Sequence, residues 1–381
     1  MRAVSASTVI NDPYRAGVAL GESLTEIDPE VVFLFSSIHY AVPDVLEGLH
    51  DGLDRDNVIV VGNTGDGCFG AGGVSDFGAA ALGLNSHGKV QWRLERIDGL
   101  QDGVDGKLER LMERLAEKDK EPCWAYLVSD FRVDVSRIET TLRDRSRFPI
   151  VGGLAMDDRR GANCFVYVNR EVINDALVVL AAYGDLGFSI VLGNSQRPVG
   201  RPGTIEAATI NQIHRIDGIS ASDFVERETG KPVLQTDRGI LSVRVVGPES
   251  PGEERLRSIM FKEAVNSGSL SFFGGVNAGD SVQVCQASQE IMIAELQALA
   301  EALRSSNRVP AGVLVISCTG RKSFLGALID NEVAALRTAF PLGLPLAGFA
   351  SRGEIAPRQT ASGYTHNLFH NMTYVAVMFW Q

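Results

Sequence analysis

The sequence predicts an α/β protein of repeated strand–helix–strand–Gly loop–strand modules with mixed sheets, plus an intervening antiparallel β region. Three observations carry this. Short apolar runs such as VVFLFSS (31–37), AYLVSD (125–130) and LVISC (314–318) have the length and continuity of strands buried on both faces. A glycine-punctuated loop closes each module, as GNTGDG (62–67), GGLAMDD (152–158) and GFASRGE (348–354). Between the second and third modules the pattern changes to alternating runs broken by Pro and Gly turns.

Residues 1–10 alternate weakly and fit a first strand. Asn11-Asp12-Pro13 opens a helix, a capping side chain followed by proline at the first turn, and Asp28-Pro29 stops it. VVFLFSS is the first buried strand; Val45, Leu46, Leu49 and Leu53 form the apolar stripe of a helix over 43–53. VIVVG (58–62) is the second buried strand, the stretch GNTGDGCFGAGG reads as loop, and FGAAALGL (77–84) as a third strand. The order recurs in AYLVSD, the helix 133–145, FPIVGGLAMDD, and strands in 164–183. It recurs again in LVISC, a helix from Ile329 to Phe340, LPLAGFASRGE and TYVAVMF. Such a threefold internal echo points to related supersecondary units sharing a core. In between, 186–218 reads as mutually paired strands, 220–230 as a helix stopped by Gly230, and 240–288 as an antiparallel meander, before a helix from Gln289 to about Ser305.

Composition limits the function classes. The chain has 381 residues, 45% hydrophobic and 22% charged, enough for two or three domains with a sizeable core. A formal charge of −11 without a Lys/Arg cluster excludes a nucleic-acid surface. The five cysteines show no CxxC spacing, which fits a reducing cytosol and argues against structural zinc. No apolar run approaches 18 residues and no signal segment opens the chain, so a cytoplasmic protein without membrane association is expected.

The C-terminal module carries the densest chemistry: Cys318-x-Gly-Arg321, the acidic Glu332, Gly348-Phe-x-x-x-Gly-Glu354, and His370-Asn371-x-Thr373. With GNTGDG, PIVGGLAMDD and QRPVG upstream, these motifs occur in the order of the FIST family, which the chain resembles over roughly 30–228 and 240–375. The resemblance implies a FIST N-terminal domain over 1–230 and a FIST C-terminal domain over 231–381. It implies a sensory module of prokaryotic signal transduction that binds a small polar metabolite, such as an amino acid. No fused output domain is recognisable, so signalling is expected through a separate partner such as a histidine kinase or cyclase.

The expected ligand contacts are Thr64, Asp66, Asp157, Cys318, Arg321, Glu354, His370 and Asn371. Arg321 offers a planar fork to a carboxylate, or else pairs with Glu332 or Glu354. No cofactor is expected on the main reading. A family subgroup resembles haem-based nitric oxide sensors acting on a partner kinase; on that alternative His370 or His214 is the axial ligand. His39 directly follows the first buried strand, and His50, His87 and His366 read as surface residues. A third alternative is a cysteine-dependent hydrolase with Cys318, His370, Asn371 and Glu354, Cys318 activated by the neighbouring Arg321. On the main reading Cys318 is a small packing residue.

Overall fold

The computed structural model describes residues 1–104, 106–116, 120–250, 252–260, 268–341 and 343–381. Three six-stranded mixed sheets follow one order. The first runs Arg2–Thr8, Ala79–Asn85, Val31–Ser36, Ile59–Thr64, then the hairpin Val166–Val168/Glu171–Ile173. The third runs Phe188–Gly193, Tyr374–Trp380, Pro310–Cys318, Leu346–Ser351, then the hairpin Cys68–Gly70/Gly73–Ser75. In the second, Val90–Asp98, Ala176–Gly184, Trp124–Ser129 and Ile150–Leu154 are followed by Glu354–Ala356 and Leu368–His370. The single parallel pair of each sheet is its central one, 31–36 with 59–64, 124–129 with 150–154, and 310–318 with 346–351.

The terminal hairpins are exchanged in a cycle. The hairpin that follows the first parallel pair completes the third sheet, the one after the second pair completes the first, and the one after the third completes the second. Strand Phe188–Gly193 likewise pairs with Tyr374–Trp380. Strands on either side of the sequence division near residue 230 therefore share sheets.

The inner faces of the three sheets meet in one core. Phe33 meets Tyr126 edge-on at 5.3 Å, Phe35 stacks on Phe349 at 5.2 Å, and Trp124 meets Phe379 at 5.5 Å. Each aromatic pair adds about 0.5–1.5 kcal/mol beyond the area it buries. A helix pair covers each outer face: Pro13–Leu24 with Pro43–Leu53, Lys107–Leu115 with Val135–Arg145, and Gln289–Arg304 with Asn331–Ala339. Gly62, Gly152 and Gly348 occupy matching places in the parallel pairs. A Cβ there would stand 1.8, 1.6 and 1.9 Å from the carbonyl oxygens of Leu34, Leu127 and Val315.

The intervening region forms a separate antiparallel sheet, ordered 219–220, 212–216, 203–209, 281–286, 241–246 and 255–258. Ile205, Phe224, Val243, Phe272 and Val284 lie in its own core. Four expectations need correction. The stretch 68–75 is a hairpin rather than loop. Strand 188–193 joins the third sheet, leaving only 203–209 and 212–216 to pair as neighbours. Thr319–Leu325 is a helix, where Thr319-Gly-Arg321 after LVISC reads in the sequence as a polar loop. His50 is buried, its Nδ1 facing the Arg55 carbonyl at 3.1 Å.

Candidate functional site

The three glycine loops at the strand ends come together. Met156 N donates to the Thr64 carbonyl at 2.9 Å, Asp66 N to that of Ala350 at 3.0 Å, and Leu154 N to that of Gly353 at 3.0 Å. Parallel pairs end in the same direction, so the hairpin exchange places their loops side by side.

At this junction the expected site residues spend their polar atoms on the protein itself. Asp66, 4% exposed, accepts from the Thr319 hydroxyl, from Arg159 Nε at 2.7 Å and from Lys322 Nζ at 3.1 Å. The Thr64 hydroxyl accepts from Phe165 N, and Asp157 accepts from the N–H groups of Gly161, Ala162 and Asn163. Arg321 donates through Nε to Glu332 at 2.7 Å and through Nη1 to Ser195 at 3.2 Å, both members of the ion pair being 0% exposed. Among the described residues Arg321 Nη2 and Glu332 Oε2 have no hydrogen-bond partner. Asn371 accepts from Ser258 N and donates to the His370 carbonyl.

Cys318 and Glu354 form a buried pair at the same place. Burial pushes the Glu354 carboxyl up to about 8, against hydrogen bonds from Ser351 and Thr373 N. Burial, and then the Glu354 charge, push the Cys318 thiol well above its ordinary range. The Arg321 guanidinium is committed to Glu332, so the activation expected for Cys318 is missing.

The two expected axial haem ligands, His370 and His214, both spend ring nitrogens on the protein. Burial lowers the pKa of His370 to about 4, and its Nε2 donates to the Ala356 carbonyl at 3.1 Å. Both ring nitrogens of His214 are engaged by hydroxyls, Ser269 at 2.9 Å and Thr209 at 3.1 Å. Among the described residues no group of three or more His, Cys, Asp or Glu could hold a metal ion. No helix of the described residues is long and apolar enough to cross a membrane.

An open site lies next to the junction, between the second sheet and the antiparallel region. One wall is Phe131, the start of helix Val135–Arg145, Leu154 and Phe369; the other is Ile210, Asn211, Met260 and 272–275. They enclose a cleft of about 300 Å³. Arg352 reaches into it from the turn between Ser351 and Glu354, its guanidinium 4.6 Å from the Phe131 ring centre and 5.7 Å from that of Phe273. No described hydrogen-bond or ion-pair acceptor meets this half-buried guanidinium. Burial pulls its pKa down and the nearby Asp157 carboxylate opposes that, yet a guanidinium stays charged. A second, polar cleft of about 750 Å³ adjoins and shares Asp134, Ser136, Ile210 and Gly275.

Arg257 pins the floor between the two walls. It is fully buried and donates to Glu139 at 2.7 Å, the Phe369 carbonyl at 2.6 Å and the Gly275 carbonyl at 2.9 Å. None of the eight expected contacts lines either cleft. The sequence does offer Arg352, a charged side chain in the same glycine loop as Glu354, but nothing local shows that Phe131 and Phe273 would flank it.

Comparison with known proteins places the chain in a family. The match to the uncharacterized protein Rv0628c of Mycobacterium tuberculosis (strain ATCC 25618 / H37Rv) is 26% identical over 247 residues, 60% of this chain and 60% of that protein. Mb0898c of Mycobacterium bovis, also uncharacterized, is 24% identical over 245 residues, 58% of this chain and 59% of its own length. The match thus spans about three fifths of the length of these relatives. Against solved structures, T. maritima PurL complexed with ATP covers 99% of this chain and 71% of its own, at 11% identity and a TM-score of 0.21, too slight to carry an argument. The model of the FIST N domain matches residues 30–219 and that of the FIST C domain residues 221–357, so the chain belongs to the FIST family, whose domains are associated with sensory signal transduction.

Proposed function

We propose that this chain is a small-ligand-binding sensory protein whose ligand enters the Arg352 cleft, and that it signals through a separate partner such as a histidine kinase or cyclase. One observation carries the choice of site: Arg352 holds an unpaired charge, half out of water, between two aromatic rings. An uncompensated guanidinium in an apolar cleft is unfavourable without an anion, and the charge and apolar lining together describe a ligand site. Asp66, Arg321, Glu354, His370 and Asn371 act on this reading as the scaffold that holds the Arg352 turn against Leu154. A ligand bridging the two walls would bias their relative position, which is a means of passing binding on to a partner.

A thermal-shift screen with metabolites and neutral, anionic and cationic fragments tests the reading. A ligand at 100 times its Kd stabilises the fold by about 2.7 kcal/mol. The shift should vanish in Ile210→Trp, which fills the cleft from an exposed position, 69% accessible. A screen giving no shift that this variant removes rejects the site.

A further inference from the structure

We infer that the ligand of the Arg352 cleft is an apolar monocarboxylate without an α-ammonium group, of the size and shape of an arylalkanoate. This rests on the assignment of the ligand site to that cleft. The rings of Phe131 and Phe273 lie near the guanidinium of Arg352, at 4.6 and 5.7 Å from its central carbon. A guanidinium flanked by rings offers its N–H edge, and a planar two-oxygen anion matches that edge with two parallel hydrogen bonds. The carboxylate of Asp157 does not compete, since its oxygens accept from the backbone of residues 161–163.

The body of the ligand follows from the remaining lining. Val133, Leu154, Met260, Phe272 and Phe369 present apolar surface, and about 300 Å³ stands at the small end of ligand pockets. One ring or branched alkyl group on a short chain fills such a space.

An amino acid is disfavoured by the same lining. Its ammonium would need an acceptor, and the carboxylate of the lining, Asp134, is already engaged by Ser136 through both N–H and hydroxyl and by Arg137 Nε at 3.5 Å. The Phe272 carbonyl already accepts from the Asn211 amide nitrogen at 3.0 Å. An ammonium would enter this cleft desolvated and poorly paired.

Calorimetric titration of the full chain with 3-phenylpropanoate, 3-phenylpropanamide and L-phenylalanine tests the class. The carboxylate should bind at least about tenfold more tightly than its neutral amide or the amino acid, the increment of a charge-assisted pair. Arg352→Met should erase that preference, and Arg352→Lys should keep part of it; among the described residues the side chain makes no hydrogen bond, so both variants should remain folded. Equal binding of carboxylate and amide, or a preference surviving in Arg352→Met, overturns the class. If equal binding is also lost in Ile210→Trp, the cleft assignment stands. Binding of none of the three overturns the class as well, and the cleft assignment then falls only with the wider fragment screen.

Discussion

The guanidinium of Arg257 donates to the carboxylate of Glu139 at 2.7 Å, and the two side chains are 0% and 8% exposed. The pair ties the antiparallel region to the helix that covers the second sheet, directly under the Arg352 cleft. A buried pair of this kind contributes little net stability, but removal of one member strands a charge. Glu139→Ala should therefore cost about 3–5 kcal/mol, while the double change Glu139→Met with Arg257→Met should cost less than the two single changes summed. Urea unfolding of the three variants measures the coupling; strict additivity would show that the pair is dispensable.

Gly62, Gly152 and Gly348 should be irreplaceable for a steric reason. Their missing Cβ leaves room for the paired strand's carbonyl oxygen, and alanine would overlap it at 1.6–1.9 Å. Each alanine variant is expected to lose about 4 kcal/mol or more, or to be insoluble. Gly72→Ala, which meets nothing within 4 Å, is the control and should fall within about 0.5 kcal/mol of the parent. Circular dichroism melts of the four variants compare them.

Glu354 and His370 give the fold opposite pH dependences. The Glu354 carboxyl is held at about 8 in the fold and ionises near 4.5 when unfolded, so the folded state keeps a proton that the unfolded chain releases. Its contribution is complete below pH 4.5 and declines as pH rises to about 8. His370, at about 4 instead of 6.5, contributes fully above 6.5 and loses that contribution as pH falls toward 4. Glu354→Gln should flatten the fall of Tm between pH 5 and 8 relative to the parent. A Tm profile of the same slope in both proteins would mean that Glu354 is ionised in the fold.

Cys318 should behave as a packing residue. It is 5% exposed, and burial keeps its thiol protonated near neutral pH. Cys123 is less deeply placed than the other four cysteines and should alkylate at least about tenfold faster near neutral pH, since reaction requires an accessible thiolate. Peptide mapping after brief iodoacetamide treatment reads this. Fast, selective labelling of Cys318 would revive a nucleophilic role.

Much of the scaffold is legible in the sequence because continuous apolar runs are unambiguous when both faces of a strand are covered. Phe33, Tyr126 and Ile316 all lie in such runs, and all are fully buried. The hairpin at 68–75 is hidden because its strands are three residues long and its partner, Leu346–Ser351, lies far along the chain. Helix Thr319–Leu325 escapes notice since Cys318 at its start supplies no capping hydrogen bond and Gly320 lies in its first turn. The strand-end motifs mark where the loops gather, but burial of Arg321 depends on Glu332 and Ser195 reaching it from separate segments. The cleft is harder still. Its lining comes from seven separate stretches between Phe131 and Phe369, and only three-dimensional packing sets Arg352 near its two rings.

The cyclic hairpin exchange also governs when each part of the chain can become stable during synthesis. The strand Ile59–Thr64 waits for Val166–Val168, made about a hundred residues later, and Ile150–Leu154 waits for Glu354–Ala356. Until the segment Glu354–Trp380 has left the ribosome, the second sheet has an open edge and the third lacks Tyr374–Trp380. Nascent chains with open edges are exposed to wrong pairing, and closing such long loops is slow. A truncation anywhere before residue 370 should therefore leave an aggregation-prone chain, even where it ends neatly between two modules.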